Sequence, residues 1–238
     1  MGKERLDKLV ASTGRFSRRE VKALVREGRV LVDGAPASGA EMKVDPEQSA
    51  ILLDGEPLGW SRFTYLMLHK PAGALSATED RRQQTVLDLL EPDLQRRGLF
   101  PVGRLDRDTE GLLLLTNDGA LAHDLLSPKK HVEKEYFVRL DGPVGEADAA
   151  AFREGVRLGE LQCMPAELVI CGNPREAFVT LHEGKFHQIK RMFQSRGRTV
   201  LYLKRLRMGS LSLDPDLPAG KYRNLTDQEL TDLKGNSR

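Results

Sequence analysis

The spacing of apolar residues changes along this chain, and each change marks an element. Leu6, Leu9 and Val10 recur at helical intervals until Gly14 interrupts them. Ser17-Arg-Arg-Glu20 is a capping box, a hydroxyl and a carboxylate placed to satisfy each other's backbone N–H, and it predicts a second helix running to about Glu27 and closed by Gly28. Val30-Leu-Val32, an Asp33-Gly34 turn and Ala35-Pro-Ala37 then predict a short hairpin. A stretch of low hydrophobicity with Pro57, Gly59 and Ser61 follows, so a domain boundary is expected near residues 58–62.

Past that boundary, strand and helix patterns interleave. Phe63–His69 reads as a strand stopped by Lys70-Pro71, and Leu112–Thr116 as a strand buried on both faces. A helix is expected after an Asp118 cap. Glu135–Leu140 alternates as a strand, and Ala147–Phe152 is helical. Ala166–Ile170 and Phe178–Leu181 predict two strands joined around Gly172-Asn-Pro174. Phe186–Arg196 predicts a helix, Val200–Arg207 a strand and Thr226–Leu233 a closing helix. No regular βαβ repeat emerges. The fold class expected is therefore α+β, with a mixed, largely antiparallel sheet.

Composition narrows the class further. The chain has 238 residues, 39% hydrophobic and 30% charged, enough for one good-sized core and a small appended module. The N-terminus begins charged without an apolar run, which predicts no secretory signal, and no stretch is long and apolar enough for a spanning helix. Cys163 and Cys171 match no zinc spacing and read as thiols in a reducing cytoplasm. The net charge of +2 hides an asymmetry. Between Lys185 and Gly209 there are eight Lys/Arg and no acid, and residues 1–44 hold ten Lys/Arg against six acids. Two basic zones on a near-neutral chain suggest a polyanion footprint. In the first zone Arg15, Arg18, Arg19, Lys22 and Arg26 fall at offsets 0, 3, 4, 7 and 11, a stripe on one side of the second helix and its lead-in.

The densest chemistry lies in Gly103-Arg-Leu-Asp106-Arg-Asp-Thr-Glu-Gly111, directly ahead of four leucines. A core-anchored strand fixes the backbone of such a loop while the carboxylate of Asp106 faces outward. A plain solvated turn is the alternative left open by the local pattern. A calcium loop is not: the bidentate Glu required at loop position twelve is Asn117, and leucines fill the positions between.

That segment, through Thr116-Asn-Asp-Gly119, resembles the signature of the RsuA/RluB/E/F group of pseudouridine synthases. Lys134-Glu-Tyr136 and Glu183-Gly-Lys-Phe-His-Gln-Ile-Lys190-Arg191-Met resemble the group's second and third motifs, in the same order. Separately, Arg5-Leu-Asp-Lys-Leu-Val10, Ser17-Arg-Arg-Glu-Val-Lys22 and Gly28-Arg-Val-Leu-Val-Asp-Gly34 resemble the S4 RNA-binding domain. The resemblance implies an S4-like domain over 1–58, a linker over 59–62 and a catalytic domain over 63–238.

It also implies roles. Asp106 is the expected catalytic carboxylate, attacking the ribose or generating a glycal. Tyr136 is expected to pack on the base and to assist proton transfer at C5, and Lys190 to pair with Asp106. Arg104 is expected to touch phosphate or fill the gap left by an everted base. Arg191 and the stripe Arg15, Arg18, Arg19, Lys22 and Arg26 are expected to contact RNA phosphates. His187 reads as a helix-face residue. The isomerisation changes no oxidation state and needs no external group donor, so no cofactor and no metal is expected; the chain has no P-loop, no GxGxxG and no metal-spaced cluster.

Ribosomal RNA is the expected partner, free or within an assembling subunit, with a monomeric, cytoplasmic, non-membrane protein acting on it. The Phe186-His-Gln and Asp216-Leu-Pro-Ala-Gly-Lys-Tyr-Arg-Asn-Leu-Thr226 phrases look closest to the small-subunit (16S) branch. A large-subunit enzyme, a tRNA-directed synthase and a non-catalytic S4-type assembly factor are the competing readings.

Overall fold

The computed structural model describes residues 2–235, and the chain divides into two compact units, Met1–Thr64 with Leu90–Leu99 and Tyr65–Leu89 with Phe100–Arg238. The first unit opens with β1 (Glu4–Arg5), α1 (Leu6–Ala11) and α2 (Arg18–Arg26), followed by β2 (Val30–Val32), β3 (Ala35–Pro36), β4 (Lys43–Val44), β5 (Ile51–Leu53) and β6 (Glu56–Pro57). The capping box of α2 is formed: Glu20 N–H donates to Ser17 Oγ (3.3 Å) and Ser17 N–H to the Glu20 carboxylate (2.6 Å). Leu6, Leu9, Val10, Val21, Leu24 and Val25 turn inward onto Val30, Val32, Ile51 and Leu53.

The four-stranded sheet runs β3-β2-β5-β6. Its two hairpins turn at Asp33-Gly34 and Asp54-Gly55, where all four residues have positive φ, the geometry that makes Asp-Gly the preferred two-residue turn. The second hairpin uses the same signal as the first and ends just ahead of the boundary expected near residues 58–62. Residues 90–99 return to this unit through the short α3 (Pro92–Gln95), and Arg96 and Arg97 donate to the carbonyls of Gly14 and Thr13 at 2.6 and 2.9 Å.

The second unit is built on one sheet of β7 (Tyr65–Lys70), β8 (Phe100–Pro101), β9 (Glu110–Thr116), β10 (Lys134–Leu140), β13 (Glu167–Ile170), β14 (Glu176–Leu181), β15 (Val200–Met208), β16 (Leu211–Ser212) and β17 (Tyr222–Asn224). A separate two-stranded ribbon, β11 (Arg157–Leu158) and β12 (Leu161–Gln162), lies outside it. The helices are α4 (Gly119–Leu126), α5 (Glu146–Glu154), α6 (Gln188–Ser195) and α7 (Asp227–Gly235). Strand order is β13-β14-β10-β15-β9-β7-β17, antiparallel throughout except for the parallel β15–β9 pair. The α+β class with a mixed, largely antiparallel sheet is therefore observed. No helix among the described residues is long and apolar enough to cross a membrane.

Asp118 caps α4, accepting from Leu121 N–H at 3.1 Å. One helix differs from expectation: α6 begins at Gln188, not Phe186, because His187 adopts a left-handed φ of 49°. Leu112 and Leu114 of β9 pack with Leu121, Leu125 and Leu233, while Leu113 and Leu115, on the opposite face, are equally sealed from solvent.

Two constraints set the loop that carries Asp106. Gly111 pairs with Arg205 across the parallel strands at φ 106°, and a Cβ there would lie 2.2 Å from the Arg205 carbonyl oxygen. Lys70, at the end of β7, is 0% exposed, and its ammonium donates to the carbonyls of Pro71 (3.0 Å), Arg107 (3.2 Å) and Thr109 (2.9 Å). Backbone and hydroxyl contacts complete the clamp: Gly73 N–H donates to Arg107 O (2.7 Å), and Ser76 Oγ and Leu105 exchange hydrogen bonds at 2.9 and 3.0 Å.

Gly111→Ala is expected to destabilise the fold by about 3 kcal/mol or more, since neither the φ nor the close approach tolerates a Cβ; chemical denaturation measures this. Burial pushes the Lys70 amine down to about 8, against its ordinary 10.5. Between those values the unfolded chain still holds a proton that the folded chain has released. Native stability from this group therefore rises with pH across that window. Lys70→Met is expected to be less stable than the parent, and its deficit to widen from pH 8 to pH 10.5 in paired denaturation curves; a deficit that narrows across that range would contradict the assignment.

Candidate active site

Asp106 sits in the clamped loop with a quarter of its side chain accessible, and Lys190, on the first turn of α6, reaches it from 84 residues along the chain. Lys190 Nζ is 3.0 Å from Asp106 Oδ2 and 2.6 Å from Asp108 Oδ1, so one ammonium is shared by two carboxylates. Burial alone would lower the Lys190 amine, but the hydrogen bonds and charges of Asp108 and Asp106 outweigh it and raise it above the usual lysine value. For Asp108, burial likewise opposes the outcome, and the Lys190 hydrogen bond and charge hold its carboxyl below the ordinary range. Asp108 entered the sequence reading only as an imitation of a calcium ligand.

Arg104, Asp106, Thr109, Tyr136, His187 and Lys190 line one small cavity of about 80 Å³. It adjoins a wider recess of about 720 Å³ that shares Arg104, Asp106 and His187 and adds Ser76 and Phe186. Tyr136 is buried in mid-sheet, where β10 runs between β14 and β15. Arg104 is exposed at the rim. The fold thus brings Asp106, Tyr136, Lys190 and Arg104 to one place.

Arg191, one residue beyond Lys190, does not line the Asp106 cavity and forms no ion pair among the described residues. His187 is a correction. It is not a helix-face residue: the left-handed turn ahead of α6 brings its Nε2 to 3.6 Å from Asp106 Oδ1, and its ring stacks on Phe186 at 3.8 Å. Its position inside the third motif was the only available signal.

Further side chains escaped the sequence reading. Lys134 and Arg205 are buried beside Tyr136 in an adjoining cavity of about 260 Å³. Lys134 belongs to the Lys-Glu-Tyr motif, where only the tyrosine had drawn a role. The basic run from Lys185 to Gly209 is also less bare than its composition suggests. Lys185, Lys190, Arg196 and Arg207 pair with Glu183, Asp106 and Asp108, Asp148, and Glu133 and Glu135. Acids from elsewhere in the chain neutralise much of that run.

In the first unit, Arg18, Arg19 and Lys22 line a recess with Arg5 and Asp7, exposed on the side of α2 opposite buried Val21, Leu24 and Val25. Asp7 is held by Arg5 in a two-point contact of 2.8 and 2.9 Å that lowers its carboxyl below the ordinary range, with Arg18 4.0 Å away. Lys22 lies 3.4 Å from Glu41. Arg26 is exposed one turn on, its Nε donating to Lys22 O. Arg15 does not share the helical stripe, because α2 begins at Arg18 after an extended Ser17; its guanidinium lies over Phe16 instead.

Comparison with known proteins follows this geometry closely. The family model described as RNA pseudouridylate synthase matches residues 64–195, and that of the S4 domain matches residues 4–49. A Bacillus subtilis (strain 168) protein, described as the uncharacterized RNA pseudouridine synthase YtzG, is 51% identical over 95% of this chain and 96% of its own. The ribosomal small subunit pseudouridine synthases A of Salmonella typhimurium and Escherichia coli (strain K12) are 40% and 39% identical, each over 96% of this chain and 99% of their own. A solved structure, described as the crystal structure of pseudouridylate synthase, superposes with a TM-score of 0.68 at 36% identity, covering 97% of this chain and 99% of that one. The similarity thus extends over nearly the full length of such proteins and takes in both an S4 domain and the unit that carries Asp106 and Lys190, and the chain belongs to the RNA pseudouridylate synthase family.

Proposed function

We propose that this enzyme converts a uridine of small-subunit (16S) ribosomal RNA to pseudouridine, in the cytoplasm, with residues 1–58 anchoring the RNA and 63–238 carrying the chemistry. The Salmonella and Escherichia relatives, named for the ribosomal small subunit and similar end to end, support the substrate. The Asp106–Lys190 pair at 3.0 Å, in a cavity that Tyr136 also lines, carries the chemical reading.

In the reaction the C1′–N1 bond breaks and its electron pair leaves with the uracil. The ring then turns, C5 bonds to C1′, and the C5 proton is lost. Asp106 supplies the carboxylate at the sugar, either as a nucleophile at C1′ or as the base that produces a glycal. Lys190, itself fixed by Asp108, aims that carboxylate. Tyr136 lies against the base and serves the C5 proton. Arg104, exposed at the rim with no ion pair among the described residues, takes the space of the everted nucleotide or a neighbouring phosphate. Arg18, Arg19 and Lys22, joined by Arg15 and Arg26 nearby, contact the phosphate backbone, which gives affinity more than sequence choice. Arg191 adds positive potential on the same helix as Lys190.

Asp106→Asn is expected to lower single-turnover isomerisation by about 10⁴-fold or more while RNA affinity stays within about threefold. Carbodiimide-dependent reverse-transcription stops on 16S, 23S and transfer RNA from a deletion strain would identify the substrate; loss of a stop in 23S or transfer RNA instead of 16S would reject the small-subunit assignment. Neutralising Arg18, Arg19 and Lys22 together is expected to reduce the slope of log Kd against log salt by about two to three. The rate of the bound complex should persist. A fall in that rate at saturating enzyme would show that these cations do more than anchor.

A further inference from the structure

Two buried cations in the catalytic unit have no role in the sugar chemistry. Arg205 is 2% exposed in the middle of β15, directly across from Tyr136 on one neighbouring strand and Gly111 on the other. Its Nε donates to Leu112 O at 2.8 Å, but its Nη2, sealed from solvent, has no hydrogen-bond partner. Lys134, also buried, spends one donor on Val132 O at 2.8 Å. Among the described residues neither cation forms an ion pair. Burial, assisted by the charge of Arg205, pushes the Lys134 amine down to about 8.

Both line the cavity of about 260 Å³ that shares Arg104, Tyr136, Gly184 and Lys185 with the Asp106 cavity. One acid, Glu183, reaches this cavity. It is already taken by Lys185 at 2.9 Å, by Gln188 Nε2 at 2.6 Å and by the N–H of Met164 at 2.9 Å.

An interior guanidinium with an idle donor and no counter-ion is costly, and such groups are retained where a ligand completes them. The ligand must offer an oxygen carrying negative charge and must fit beside Tyr136. Uracil does so at the right moment. When C1′–N1 breaks, the electron pair spreads from the ring onto its two carbonyl oxygens, and the base must turn before C5 can bond, with water excluded. A fixed donor aimed where charge develops is worth far more in such a site than in water.

We propose that Arg205, seconded by Lys134, binds a carbonyl oxygen of the target uracil through Nη2 and holds the charge of the departing base while it turns. This rests on the reading of the site as a uridine isomerase. It makes Arg205 a substrate-contacting group of the same reaction, reading the base from the side opposite the sugar.

The test is a cycle between protein and substrate. Single-turnover rates and Kd are measured for the parent, Arg205→Met and Arg205→Lys on RNA carrying uridine, 2-thiouridine or 4-thiouridine at the target, sulfur being the weaker acceptor. Arg205→Met is expected to slow the uridine substrate by about 100-fold with RNA affinity within about threefold, and Arg205→Lys by less. One of the two thio-substitutions is expected to slow the parent by about tenfold and Arg205→Met by less than twofold.

If neither thio-substitution slows the parent, the proposal is overturned whether or not the variants fold. Equal slowing of parent and Arg205→Met also overturns it. So does coupling of Arg205→Met to a phosphorothioate beside the target instead of to the base, since the cation would then be a backbone contact. Failure of the parent to isomerise the unmodified RNA would remove the underlying reaction as well; turnover without coupling would remove only the role of Arg205.

Discussion

A lysine ammonium sealed from water must be met by oxygen, and at Lys70 that requirement organises the catalytic unit. Three carbonyls surround it, and two of them, from Arg107 and Thr109, belong to the loop that presents Asp106. If the loop moved, a buried charge would be left unsolvated, so the carboxylate is held by the electrostatics of a residue it does not touch. The same loop is anchored below by β9, whose leucines are covered on both faces, and by Gly111, which admits the backbone of Arg205 at a distance no other residue permits. The loop of Asp106 is thus held between close-packed leucines and a buried, carbonyl-coordinated ammonium.

Around that loop the cations fall into two kinds. Lys190 is matched, indeed over-matched, by Asp106 and Asp108, its Nζ lying 3.0 Å from one carboxylate and 2.6 Å from the other. Arg205 and Lys134 form no ion pair among the described residues, and both are buried against an adjoining cavity that Tyr136 also lines. A reaction that begins with a sugar gaining positive character and a base gaining negative character needs both kinds, acid toward the ribose and cation toward the ring. On the roles proposed above, the Asp106–Lys190 pair and the Arg205–Lys134 pair would supply that polarity before substrate arrives.

The surface cations obey a different rule. In the Lys185–Gly209 run, acids from distant segments neutralise several members, which keeps the field of the catalytic unit local. On α2, Arg18, Arg19 and Lys22 remain exposed on a helix whose opposite face is core. Exposed cations suit a phosphate backbone, where contact is electrostatic and tolerant of position; buried ones suit a single atom of a single base.

The local signals of this chain were legible from sequence because each depends on residues a few positions apart. The Ser17–Glu20 capping box, the Asp118 cap, the Asp33-Gly34 turn and the four-leucine strand are all of this type. Asp106 stood out for the same reason, as a carboxylate between a glycine turn and a buried strand, and motif resemblance tied it to Tyr136 and Lys190. The second Asp-Gly hairpin, after Ile51-Leu-Leu53, carries the same short-range signal as the first. Tertiary structure alone decided the rest. Lys70 and Arg205 are charged, and composition places charged residues on the surface; only the sheet register, pairing Arg205 with Gly111 and Tyr136 and Lys70 with Gly111, carries them inside. His187 reaches Asp106 through one left-handed residue that shortens α6, a backbone choice invisible to periodicity. Short-range patterns specify elements, whereas the burial of a charge and the partner it finds depend on segments brought together from 39 to 93 residues apart.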